Sequence, residues 1–145
     1  MADELALLEK ALQASPDNWK VRRSLAAILF EKGRSADAGK LIQDAPEIPE
    51  DDKDQLFAAE LLSIADPKSA HELLDKYLDS NAASAQGHLL QARLFLSTGD
   101  REKAESHFKV AEVLDPEISL EKEMDAGAKS AAAVVEEQVA AAVVE

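Results

Sequence analysis

The sequence predicts an all-α fold built from repeated helix pairs, and three observations carry that prediction. Ala92, Phe95, Gly99, Ala104, Phe108 and Ala111 have counterparts 66 residues earlier, at Ala26, Leu29, Gly33, Ala38, Ile42 and Ala45. A second echo lies 34 residues earlier, at Ala58, Leu61, Asp66, Ala70, Leu74 and Tyr77 against Ala92, Phe95, Asp100, Ala104, Phe108 and Ala111. Composition agrees with packed helices: 46% of the chain is hydrophobic, only 4% is aromatic, and five Gly and five Pro leave long uninterrupted runs. Much of the apolar content is alanine, which suits close backbone approach between helices.

The first element is a helix over about 3–14, with Leu5, Leu8, Ala11 and Leu12 on one face and Glu4, Glu9 and Lys10 outward. Ser15-Pro16-Asp17-Asn18 breaks it. Leu8, Ala11 and Pro16 repeat the spacing of Phe108, Ala111 and Pro116, so this unit (3–16) reads as a second helix lacking its first. The next unit (18–46) opens at Asn18-Trp19. Its first helix carries Leu25, Ala26 and Leu29 to the turn Glu31-Lys32-Gly33-Arg34, and its second, about 35–45, carries Ala38, Ile42 and Ala45. Pro46 and Pro49 then interrupt helix twice, since proline disfavours helix at the residue before it.

The middle unit (51–81) is degenerate: Leu56, Ala58, Leu61 and Leu62 form its first helix, and Asp66-Pro67 stands where the other units have Gly-Asp or Gly-Arg. Its offset from the preceding unit is 32, two short of the later spacing, so the stack is expected to be locally irregular at the Pro46–Pro49 connection. The last unit (85–116) is the best preserved. Gly99 permits a tight exit from its first helix and Asp100 caps the second. Ala104, Phe108 and Ala111 follow at i, i+4, i+7, a single helical face. Ile118, Leu120 and Met124 in a cap over 117–127 would cover that face, because a repeat buries it only against a neighbour. Residues 128–145 are an Ala/Val/Glu tail, expected as a helix or a flexible linker.

Charge and motifs exclude several functions. The formal net charge of −13 opposes a broad phosphate-binding surface, so nucleic acid and anionic membrane are not expected partners. The chain has no cysteine, no secretory signal pattern and no stretch of some 18 apolar residues, so a cytoplasmic protein is the plain reading. Glu50-Asp51-Asp52-Lys53-Asp54 lacks the glycine and closing glutamate of a calcium loop and reads as an acidic first helical turn. None of His71, His88 and His107 has a second histidine at i+3 or i+4, and no phosphate loop, dinucleotide fingerprint or nucleophile elbow is present. No catalytic residue, metal site or cofactor is expected.

With its Ala92, Phe95, Gly99, Ala104, Phe108, Ala111 and Pro116, the chain resembles the tetratricopeptide repeat family, in about three and a half repeats over 3–116. The resemblance implies a right-handed α-α superhelix in which the first helix of each repeat lines a concave groove for a peptide or helix of a partner protein. Carried over residue by residue, the groove-facing places are Lys20, Arg23, Ala27, Phe30 and Glu31, then Gln55, Ala59, Leu62 and Ser63, then Gln86, Leu89, Arg93, Leu96 and Ser97. Lys20, Arg23 and Arg93 would gather cations in an acidic protein, and Phe30, Leu62, Leu89 and Leu96 would floor the groove. That mix suits a peptide with an acidic group and an apolar anchor. The variety that clamps the carboxylate of chaperone tails is not expected, because Ala27, Leu56 and Leu90 replace polar clamp residues. The chain is thus expected to be a protein-interaction module, the N-terminal recruiting arm of a larger protein such as an ATPase; the alternative is self-association through residues 130–145.

Overall fold

The computed structural model describes residues 2–126. The tail 128–145, and with it the segment expected to mediate self-association, lies outside them. Seven α-helices are bounded: α1 (Ala2–Ala14), α2 (Trp19–Glu31), α3 (Ser35–Gln43), α4 (Asp52–Ala65), α5 (Pro67–Ser80), α6 (Ala85–Ser97) and α7 (Arg101–Leu114). A further helical segment, α8, occupies 120–126. The helices form antiparallel pairs, and the chain divides into two compact units between Tyr77 and Leu78. Among the described residues no helix is long and apolar enough to cross a membrane.

Helix starts are set by short side chains that accept a backbone N–H three residues on. Asn18 Oδ1 accepts from Val21, Asp51 Oδ2 from Asp54, Ser84 Oγ from Gly87 and Asp100 Oδ1 from Lys103. Helix ends are equally regular. Gly33 and Gly99 take φ of +80° and +92°, which returns the Arg34 N–H to the Leu29 carbonyl at 2.8 Å and the Asp100 N–H to the Phe95 carbonyl at 2.9 Å. Both are the six-residue closure that a left-handed residue after a helix permits, 66 residues apart.

In the first unit α1 packs on α2, α2 on α3 and α3 on α4. Leu25, Ala26, Leu29, Ala38, Ile42, Ala58 and Leu61 are buried there. The second helix of this pair is shorter than expected: α3 ends at Gln43, and Ala45 stands outside it, half-buried. Pro46 is the cause, because its ring pushes the preceding residue out of helical backbone. Ala45 therefore does not repeat the stacking role of Ala111, which is fully buried within α7. At the Pro46–Pro49 connection the backbones come close. Gly39 of α3 lies so near α4 that a Cβ there would sit 2.8 Å from Ala65 Cβ and 2.9 Å from the Leu61 carbonyl oxygen. In the second unit Leu89, Ala92, Ala104, Phe108, Ala111 and Met124 form one cluster, with Phe95, Leu96, Ile118 and Leu120 packed against it.

The degenerate turn uses a different device. Pro67 opens α5, a position where its missing N–H costs nothing. Asp66 accepts from the Ser69 hydroxyl at 2.6 Å and from the Ser69 N–H at 3.4 Å. The Ser69 hydroxyl first, and then its N–H, hold the Asp66 carboxyl below the usual carboxylate range. A carboxyl depressed on folding adds stability above its unfolded pKa, and that stability is lost as the pH falls through the folded value. The start of α5 is thus expected to loosen only below the ordinary carboxylate range. An NMR titration of Asp66 at or above that range would contradict this.

Candidate functional site

The predicted groove residues sit on α2, α4 and α6, the first helices of their pairs. On α2, Lys20, Arg23, Ala27 and Phe30 follow at helical spacing along one face. Lys20 and Arg23 are exposed and Phe30 is 40% exposed. Gln55 on α4 is half-buried and Gln86 on α6 is exposed.

Two expectations about this surface need correction. The cations Arg23 and Arg93 do not wait for a ligand. Arg23 Nε lies 2.9 Å from Asp54 Oδ1, with its guanidinium 5.2 Å above the Phe57 ring. Arg93 forks onto Glu123, Nε to Oε2 at 3.0 Å and Nη2 to Oε1 at 2.8 Å, the bidentate geometry that suits a guanidinium. The two pairs are equivalent: Asp54 follows Arg23 by 31 residues and Glu123 follows Arg93 by 30. The apolar floor is also largely withdrawn. Leu62 and Leu89 are only 4% and 6% exposed, and Leu96 packs on the Phe108 cluster. The reason for Leu89 and Leu96 is that Ile118, Leu120 and Met124 are packed into that same cluster, so the cap takes up surface a ligand would need. Of the four expected floor residues, Phe30 keeps a large exposed area.

A buried arginine and a histidine pair were not anticipated. Arg22, 6% exposed, donates from Nη1 to the Leu41 carbonyl at 3.0 Å and from Nη2 to the Pro16 carbonyl at 2.6 Å, tying α2 to α3 and to the turn after α1. Sixty-six residues on, the same two places of the hairpin hold His88 and His107. Their Nδ1 atoms are 3.0 Å apart, His88 Nε2 lies 2.9 Å from the Ala82 carbonyl oxygen, and the His107 ring stacks on Phe95 with centroids 5.6 Å apart. A search for histidines three or four residues apart misses this pair, which is 19 apart on successive helices. Its signal is symmetry: both residues stand nearly equidistant from the turn at Ser97–Gly99, so an antiparallel hairpin must bring them together.

In-register helix pairs, glycine-closed turns and a partly exposed face on the first helices define a helical-repeat protein built to present surface. The chain belongs to the tetratricopeptide repeat family: two tetratricopeptide repeat profiles match it, over residues 5–60 and 57–117. Among solved structures, the crystal structure of MamA is similar, with a TM-score of 0.64 and 16% sequence identity, covering 95% of this chain and 88% of that one. At that identity the likeness speaks for the fold. No curated protein matches the sequence.

Proposed function

We propose that the chain is a protein-interaction module that takes a peptide or helix of a partner protein against the first-helix surface, centred on α2. The observation that supports this is the exposed row Lys20, Arg23 and Phe30, an apolar ring beside two cations in a protein of net charge −13. The Arg23–Asp54 pair does not block such use. An exposed ion pair of this kind contributes only about 0.2–1 kcal/mol, so a partner's carboxylate can replace Asp54 at small cost. Phe30 then supplies the apolar anchor. Gln55, Leu62, Gln86, Leu89, Arg93 and Leu96 are extensions of the same reading, the leucines as support for the surface rather than as contacts.

The test is selection of peptides from a display library against the whole chain, followed by affinity measurement on variants. Lys20→Glu combined with Phe30→Ala is expected to weaken the selected peptides about tenfold or more, with the circular-dichroism spectrum unchanged; an exposed aromatic anchor and a nearby charge carry this much of a small interface. Unchanged Kd in that variant overturns the α2 assignment. The second reading, self-association, draws on the exposed apolar row Val110, Val113 and Leu114 of α7, at 41%, 81% and 40% exposure. Light scattering with and without residues 128–145 separates the two, since a concentration-independent monomer in both forms removes the second.

A further inference from the structure

The geometry points to a divalent transition-metal site between α6 and α7, made by the Nδ1 atoms of His88 and His107. Two imidazole nitrogens bound to one ion at about 2.0–2.1 Å stand roughly 2.9–3.4 Å apart for bond angles from 90° to tetrahedral. The observed 3.0 Å falls in that interval without moving either helix.

The surroundings prepare both rings. With Nε2–H donated to the Ala82 carbonyl, His88 is held as the tautomer whose Nδ1 carries a lone pair, the outer-shell arrangement that orients imidazole ligands on metals. Stacking against Phe95 fixes the plane of His107. In the metal-free chain, the His107 Nδ1–H donates to His88 Nδ1. On metal binding that proton leaves Nδ1 for Nε2 of the same ring through solvent, and both Nδ1 lone pairs pass to the ion. A neutral pair therefore releases no net proton.

Arg22 and Leu41 make the same juxtaposition in the first unit, with a guanidinium on a carbonyl 3.0 Å away, so close approach at these two places belongs to the hairpin itself. The imidazoles use it to set two donors together. Among the described residues no three metal-binding side chains converge, so water completes the coordination and the ion exchanges readily. Imidazole donors select late first-row ions, Cu2+ most strongly and Zn2+ with them. The net charge of −13 raises the local concentration of any cation.

The experiment titrates Cu2+ alone into the full chain at neutral pH, with His71→Gln as the control for the third histidine. The parent and His71→Gln are expected to bind one ion with two imidazole nitrogens in the electron paramagnetic resonance spectrum. His88→Gln and His107→Gln are each expected to bind about tenfold or more weakly. Equal affinity in the parent and both pair variants overturns the site. Should either variant lose its helicity, Zn2+ added to the parent decides instead. The ring protons of His88 and His107 are then expected to shift while those of His71 stay. Three rings shifting alike, or none, rejects it.

Discussion

Phe108→Ala is expected to destabilise the protein by about 3–5 kcal/mol, the upper part of the range for emptying a core site. Phe108 has no exposed surface and lies in one cluster with Leu89, Ala92, Ala104, Ala111 and Met124. Truncation removes the transfer free energy of a whole ring and leaves a cavity. Three of those neighbours are alanines, with no side-chain length to fold into the gap, so little of the cavity term is recovered. A chain of this size loses about 2–4 °C of Tm per kcal/mol, which places the expected fall at roughly 6–20 °C. Urea unfolding of parent and variant measures it. A loss below about 1.5 kcal/mol would show that the cluster does not depend on the ring. Val113→Ala, 81% exposed on the same helix, is expected to stay within about 0.5 kcal/mol.

Gly39→Ala is expected to destabilise despite favouring the helix. Alanine gains about 1 kcal/mol over glycine by helix propensity. Against this, the new methyl would stand 2.8 Å from Ala65 Cβ and 2.9 Å from the Leu61 carbonyl oxygen. Neither of those atoms can rotate aside, since one is a Cβ and the other backbone. Relief requires α3 to lift from α4, which loosens Ile42 and Leu61, both about 1% exposed. Overpacking of this kind costs about 1–3 kcal/mol and exceeds the propensity gain where backbone is the obstacle. Gly39→Val, with more bulk, is expected to cost more than Gly39→Ala. Ala65→Gly in the Gly39→Ala background is expected to restore part of the loss, a coupling seen as non-additivity in a double-mutant cycle. A Gly39→Ala protein more stable than its parent would contradict the contact.

Much of this was legible in the sequence, and particular residues show why. Asn18, Asp51, Ser84 and Asp100 could be placed at helix starts because a cap depends only on residues three positions apart. Gly33 and Gly99 could be placed at turns because only the backbone conformation at those two positions is at issue. The register of Ala26 and Ala92, or Ile42 and Phe108, was legible because the pattern recurs. Ala45 was misplaced by trusting that recurrence over the local veto of Pro46. Gly39 passed unnoticed because nothing in its own helix explains it; its reason lies on α4.

The candidate site divides the same way. The sequence alone determined that first helices carry Lys20, Arg23 and Phe30 on one face, since helical period settles which residues share a side. Only the tertiary structure decided that Asp54 and Glu123 neutralise Arg23 and Arg93, that Leu62 and Leu89 are buried, and that His88 meets His107. Each of those outcomes joins side chains 19 to 31 residues apart or depends on what covers a face. Caps, turns and register follow from covalent neighbours. Charge pairing, exposure and ligand convergence follow from which helix lands against which, and that is fixed by the fit of alanines and one glycine across the packed faces.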